Sequence, residues 1–306
     1  MNQAGTHRQE PTPIGVVAKP PFARVPDPVV LFTARAARLR TLADNHELKS
    51  YLLFLAGLIQ AQHDVQDGLA QPELPPPDAL ARAREFGMPP LDRTRFTADA
   101  VFDETFTGIL ARAQAIEMPQ AARDALMRVT IADPVMRGQM TGNVLADAIP
   151  VEALAEHVFV AAVAQVHFAR LAGQLEARSL TQIGETAICP ACGGPPAASM
   201  VVGWQEAHGA RYCSCALCGT LWNYVRIKCC LCGTTKGISY EEVDGAGGTA
   251  KAETCDSCRG YLKIFHQQKD MSIEPLADDI ATLGLDLLMK NTDYRRGGFN
   301  PFLLGY

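Results

Sequence analysis

Apolar and polar positions alternate along this chain in two distinct textures. From about Val29 to Asp67, apolar residues recur at spacings of three and four. Leu31, Ala34, Leu39, Leu42 and Ala43 mark one stretch, and Leu48, Leu52, Leu55, Leu58 and Ile59 a second. That period puts one apolar stripe on a helix. Pro72 to Pro77 break the pattern, and a short helix is expected over 78–88, closed by Pro89 and Pro90. Further helices are expected at 96–117, 119–131, 133–147 and 150–178. Asp133 followed by Pro134 makes a good start for the third of these. The last is apolar on most of its circumference, through Leu154, Val158, Phe159, Ala162, Val163, Val166, Phe168 and Leu171. Such a helix belongs at the centre of a bundle.

After Glu176 the texture changes to Gly, Pro, Cys and β-branched residues. Strands are expected at Ser199–Val202, Arg211–Tyr212, Leu221–Val225, Gly237–Tyr240 and Tyr261–Phe265. Helix returns over Glu274–Leu288. The last segment, Asn291 to Phe302, reads as a Gly- and aromatic-rich loop that anchors the chain end or binds a partner.

The second texture holds all ten cysteines, and eight of them form C-x-x-C pairs: Cys189/Cys192, Cys215/Cys218, Cys229/Cys232 and Cys255/Cys258. The interval from Cys189 to Cys229 is also the interval from Cys192 to Cys232, from Cys215 to Cys255 and from Cys218 to Cys258. The segment is therefore a tandem duplication. Two residues between cysteines let a tight turn aim both sulfurs at one ion. A glycine after the second cysteine supplies the positive φ of such a knuckle. Gly193, Gly219 and Gly233 stand there, with Arg259 in the fourth knuckle. Two knuckles give four thiolates, a set suited to zinc or a single iron. Sequential pairing, Cys189, Cys192, Cys215 and Cys218 for one site and Cys229, Cys232, Cys255 and Cys258 for the other, follows from duplication of a self-sufficient unit. An interleaved arrangement stays open at this point. Cys213 and Cys230 break the repeat and read as spare thiols, with Cys213 an alternative to Cys215 as ligand.

A disulfide scaffold and a thioredoxin-type redox pair are weaker readings. The cysteines sit in one quarter of a long chain, and they come as four pairs in register rather than one. Four sulfurs leave no open position for substrate or water, which favours a structural or electron-holding site over a hydrolytic one. No nucleophile–base constellation stands out, so no catalytic residue is assigned and the chain is not read as an enzyme. His157 and His167, on the central helix, read as satisfied core or surface histidines.

Composition changes this picture little. The 306 residues are 48% hydrophobic and 20% charged, ordinary for a globular protein. The net charge of −5 disfavours nucleic acid, which needs a basic field. Trp204, Tyr212, Trp222 and Tyr224 read as packing residues of the β units rather than base-stacking platforms. Arg35, Arg38 and Arg40 read as a solvated helix face. Arg211, Arg226, Lys228, Lys236, Lys251, Arg259 and Lys263 read as an exposed face that partly compensates thiolate charge. No secretory h-region and no run of membrane-spanning length is apparent, so a reducing cytoplasm is expected.

The expected architecture is multidomain α+β. It comprises a Pro-rich tail (1–28), an all-α bundle around a central helix (29–180), two small β metal modules (181–226 and 227–272), and a C-terminal helix and tail (273–306). Each module is expected to be an antiparallel unit around one ion.

In that order, the chain resembles the FdhE-type formate dehydrogenase accessory proteins. The matching stretches are Ala34-Arg35-Ala36-Ala37-Arg38-Leu39, the Cys189–Pro196 knuckle, Arg211-Tyr212-Cys213-Ser214-Cys215-Ala216-Leu217-Cys218 and Cys229-Cys230-Leu231-Cys232-Gly233. They continue in Glu253-Thr254-Cys255-Asp256-Ser257-Cys258, Tyr261-Leu262-Lys263 and Ala277-Asp278-Asp279. The resemblance implies a cytoplasmic maturation factor with iron in two rubredoxin-like sites, held by the eight paired cysteines. It implies as partner the catalytic subunit of a respiratory molybdenum- or tungsten-containing, selenocysteine-type formate dehydrogenase, met before export by the twin-arginine route. A rubredoxin-like electron carrier and a nucleic-acid-binding zinc ribbon are the alternatives, and zinc is the alternative occupant.

Overall fold

The computed structural model describes residues 20–245 and 247–303. The start of the expected tail, residues 1–19, lies outside them. A short strand β1 (Ala23–Arg24) leads into helices α1 (Pro28–Leu42), α2 (Lys49–Asp64), α3 (Pro77–Glu85), α4 (Ala100–Ala113), α5 (Gln120–Ile131), α6 (Pro134–Leu145) and α7 (Leu154–Ala172). Strands β2 (Pro196–Val201), β3 (Arg211–Cys215), β4 (Leu221–Asn223), β5 (Ile238–Glu241), β6 (Ala250–Cys255) and β7 (Gly260–His266) follow. Helices α8 (Pro275–Ala281) and α9 (Leu283–Met289) and strand β8 (Arg295–Arg296) close the order.

Helix starts follow local chemistry. The carboxylates of Asp27, Asp99 and Asp133 accept backbone N–H bonds at the first turns of α1, α4 and α6, and proline opens α1 and α6. Helix α7 is buried from His157 to Ala172 and is packed by α1, α2, α4, α5 and α6, as its all-round apolar pattern requires. Val151–Ala172 is, by length and composition, apolar enough to cross a membrane, contrary to the sequence expectation of no such run. It is the bundle's core helix.

The duplicated segment does not form two separate β units. Each copy is an antiparallel three-stranded unit, but β2 of the first pairs in parallel with β7 of the second through Ser199–Ile264, Met200–Phe265 and Val201–His266. The result is one eight-stranded sheet in the order β1-β4-β3-β2-β7-β6-β5, with β8 also on β7. The β3–β4 register, Tyr212 opposite Asn223, is reproduced at the equivalent positions of the second copy by Ala252 opposite Lys263 in β6–β7. Strand β1 covers the outer edge of β4, so the supposed tail blunts an exposed edge.

Two ionic latches hold the C-terminal segment, the first to α1 and the second to β7, and they correct the reading of the basic residues. Arg35 and Arg38 face inward from α1: Arg35 binds Glu274 at 3.0 Å, while Arg38 binds Asp278 at 2.6 Å and Asp270 at 2.8 Å. Arg40 alone of the three arginines is exposed. In the second latch, Lys263 of β7 lies fully buried against Asp279 and Asp286, and Arg296 binds the same two carboxylates at 2.6 and 2.7 Å. Asn300 donates to Asp279 at 3.0 Å, and the Tyr51 hydroxyl donates to the Phe302 carbonyl at 2.6 Å. Phe302 is fully buried, so this end segment is an anchor.

Candidate metal centres

Each copy builds two knuckles, the first in turns ahead of its first strand and the second in the turn between its last two strands, β3–β4 or β6–β7. In the first copy, Cys189 N donates to the Gly194 carbonyl at 2.8 Å and Gly193 N to the Cys189 carbonyl at 2.9 Å. In the second, Cys229 N donates to Thr234 O at 2.8 Å and Gly233 N to Cys229 O at 3.0 Å. Gly193, Gly219 and Gly233 all take positive φ, between 74° and 81°. Arg259 adopts φ 53° at the fourth knuckle, a conformation an L residue takes at some cost.

All ten cysteines are free thiols. The sulfurs of Cys189, Cys192, Cys215 and Cys218 gather in one group, and those of Cys229, Cys232, Cys255 and Cys258 in another. Within each group the sulfurs lie within 4.8 Å of one another. The grouping is sequential, with no interleaving. Cys189–Cys218 and Cys192–Cys215 are 3.6 and 3.4 Å apart; Cys229–Cys258 and Cys232–Cys255 are 3.9 and 3.7 Å apart. A tetrahedron with metal–sulfur bonds near 2.3 Å has edges of about 3.8 Å. Both quartets therefore fit one four-coordinate ion with all-sulfur ligation, which iron and zinc accept.

The sulfurs in each group are electrostatically unequal. Burial pushes the Cys189 thiol well above its usual range, and hydrogen bonding with Cys189 does the same to Cys192. Hydrogen bonds from Cys189, Cys192 and Cys218 hold Cys215 well below it. In the second quartet burial raises Cys229 and Cys258. Cys255, the repeat counterpart of Cys215, is held below its usual range despite burial, because the N–H groups of Cys258 and Ser257 and neighbouring thiols favour its thiolate. Four crowded thiols cannot all ionise without a cation among them.

The quartets differ in their surroundings. The first is wholly buried and belongs to the main hydrophobic core, with α7 and its neighbours. The helical half grips it directly. Leu91 N donates to Ala191 O at 2.9 Å and Arg93 N to Cys192 O at 3.3 Å. Gln62 donates to Gln165 at 2.9 Å, and Gln165 to Ala216 O at 2.8 Å, between Cys215 and Cys218. Arg93, paired with Asp147 through two nitrogens, interacts electrostatically with Cys192 and Cys215. It is the nearby countercharge that sequence reasoning missed, because nothing in the surrounding Pro-rich loop marks it.

The second quartet exposes Cys232 and Cys258. Its supports come from the linker and the chain end: Ala187 N donates to Cys230 O at 2.9 Å, and Arg295 N to Arg259 O at 2.8 Å. The flanking cations do not form one solvated face. Arg211 and Lys263 have fully buried side chains. Arg211 binds Glu253 at 2.8 Å and Ser199 Oγ at 3.1 Å, bridging the two copies.

The remaining candidates lie elsewhere. Cys213 lies outside the first quartet, beside Cys230. His157 Nδ1 lies 2.6 Å from the Ala153 carbonyl and Nε2 3.2 Å from Asn143. His167 sits among Phe96, Phe102 and Phe168, and burial lowers its pKa. Neither histidine reaches a quartet. Trp222, Tyr212 and Tyr224 are buried, and Trp204 packs tilted against Tyr212 with ring centroids 4.9 Å apart, so these rings pack the sheet.

Sequence comparison places the whole arrangement. Family models described as FdhE N-terminal, FdhE central domain and FdhE C-terminal domain match residues 20–185, 188–226 and 227–303. A Protein FdhE homolog of Rhizobium meliloti is 47% identical over 299 residues, covering 97% of each chain. Another, from Pseudomonas aeruginosa, is 34% identical over 284 residues, covering 89% of this chain and 90% of its own. The crystal structure of the FdhE protein from Pseudomonas aeruginosa superposes with a TM-score of 0.81 at 33% identity, over 93% of this chain and 99% of that one. With the helical half, both cysteine-bearing copies and the closing segment all matched, this chain belongs to the FdhE family.

Proposed function

We propose that this protein is a non-catalytic accessory factor in the maturation of a respiratory formate dehydrogenase. It acts in the cytoplasm and binds the catalytic subunit before export. The observation that carries the reading is family membership coupled to two intact four-sulfur quartets. In this reading Cys189, Cys192, Cys215 and Cys218 hold one ion, and Cys229, Cys232, Cys255 and Cys258 the other. The modules are rubredoxin-like, iron is the resident metal, and zinc is the alternative occupant. An ion in either quartet supplies a cross-link for a small β unit and, if iron, a one-electron couple. Four sulfurs complete its coordination, so a hydrolytic role has no open position to use.

The chain's own residues supply a rigid frame. Arg35 and Arg38 clamp α1 to α8, and the Lys263–Arg296 latch fixes the C-terminal helices on β7. Binding is tested by anaerobic co-purification of the full chain with the catalytic subunit. Specific recovery supports the reading, and repeated failure by independent methods overturns it. Metal analysis of the same preparation should return two ions per chain, and electronic spectra distinguish iron from zinc.

One observation favours a second reading, that of a rubredoxin-like electron carrier. The exposed Cys232 and Cys258 place the edge of the second quartet at the surface, where a redox partner can approach. A reversible one-electron couple in iron-loaded protein supports this reading; its absence removes it.

A further inference from the structure

Cys213 and Cys230 are the two cysteines that depart from the repeat: their counterparts in the other copy are Glu253 and Pro190. The fold brings these departures together. Cys213 lies on β3 of the first copy, Cys230 in the first knuckle of the second, and their sulfurs are 3.4 Å apart across the join. Both are buried, and neither belongs to a quartet. The Arg211 guanidinium, itself bound to Glu253, interacts electrostatically with both sulfurs. Cys230 also lines a cleft of about 480 Å³ shared with Ala187, Pro195, Leu231, Arg259 and Arg296. That cleft brings solvent up to Cys230, whose side chain is itself buried, and Cys213, outside the cleft lining, is placed to act as the resolving thiol.

We propose that Cys213 and Cys230 form a reversible redox-modification site, closing to a disulfide that staples the two cysteine-bearing copies together. The oxidant is a peroxide. The Cys230 sulfur attacks one peroxide oxygen, the O–O bond breaks, and the thiol proton leaves with the departing oxygen as water when the oxidant is hydrogen peroxide. Cys230 is left as a sulfenic acid. The Cys213 sulfur attacks the sulfenic sulfur, the S–O bond breaks, and the hydroxide leaves with the Cys213 proton as a second water. Two thiols have then lost two electrons and two protons, and one peroxide has become two waters. A dithiol reductant returns both electrons and protons through thiol–disulfide exchange. Closure requires the 3.4 Å separation to contract to about 2.05 Å, a shift of about 1.4 Å shared between two side chains. Cys230 directly follows Cys229, and Cys213 is two residues before Cys215, so closure pins one strand or knuckle of each quartet. The proposal goes beyond the accessory role and does not depend on which ion the quartets hold.

The test uses the full-length, metal-loaded protein, treated with hydrogen peroxide, denatured, alkylated and digested for peptide mass spectrometry. The expected product is one disulfide joining the Cys213 and Cys230 peptides. It should disappear on treatment with dithiothreitol, and metal content should be unchanged at the oxidant concentration that forms it. Cys213→Ser should leave Cys230 alkylatable or over-oxidised, with no cross-link. The proposal is overturned if both thiols stay alkylatable while quartet cysteines oxidise, or if either pairs instead with a quartet cysteine. Because the wild-type protein carries the decisive readout, a variant that fails to fold leaves the test intact.

Discussion

The two quartets share a repeat and differ in their burial. Knuckle geometry recurs from copy to copy, and the β3–β4 register recurs in β6–β7. Yet the first quartet is sealed beneath α7 and gripped by the helical half, whereas the second presents Cys232 and Cys258 to solvent. Local spacing builds the cage; tertiary context sets what reaches it. A buried quartet is suited to holding the fold, and an exposed one to exchange with something outside.

The largest effect that can break this comparison comes from removing ligands. Replacing Cys189 and Cys192 with Ser should abolish cooperative folding. Metal binding at a structural thiolate site supplies about 10 kcal/mol or more, comparable with a domain's whole stability. The same change at Cys229 and Cys232 should leave the helical half folded, with a lower melting temperature and protease sensitivity around 227–272. Far-UV circular dichroism with limited proteolysis checks both, and equal damage from the two pairs would remove the asymmetry.

Next come the buried charges. Glu253→Gln leaves the Arg211 guanidinium buried without its carboxylate and should cost about 3–5 kcal/mol by chemical denaturation. Asp279→Asn should cost a similar amount at pH 7 by leaving Lys263 and Arg296 under-compensated. Asp279 also gives a pH test. Although burial opposes it, Arg296 and Lys263 hold its pKa below the ordinary 3.8. The folded pKa lies below the unfolded one, so this stabilisation is present above pH 3.8 and is lost as pH falls through the folded value. Asp279→Asn should therefore flatten the acid limb of the stability curve. An unchanged limb would place that sensitivity elsewhere.

The smallest expected effect is at the first latch. Arg38→Ala removes charge-assisted bonds to Asp278 and Asp270 and should cost about 1.5–3 kcal/mol, read as a lower denaturation midpoint with both quartets intact.

What was legible in the chain was what is decided locally. Four C-x-x-C pairs in register announce their own knuckles, and α7 announces its centrality because it is apolar on most of its circumference. The latches were hidden because Arg35 and Arg38 find their partners near the far end of the chain, so their spacing on α1 looks like an ordinary solvated face. Strand β6 was missed because Ala250-Lys251-Ala252-Glu253 has weak strand propensity and is held by neighbours on both sides. The parallel join of β2 to β7 and the meeting of Cys213 with Cys230 are likewise long-range. Each copy is the antiparallel unit its pattern predicts, but nothing local shows that β2 and β7 each leave an edge that the other covers.

Timed chelation of the metal-loaded protein, with each cysteine followed by alkylation and mass spectrometry, tests the account most directly. Cys229, Cys232, Cys255 and Cys258 should lose protection first, with Cys189, Cys192, Cys215 and Cys218 following only as the fold opens. Loss of protection at all eight with one rate constant, or first at the buried quartet, would contradict it.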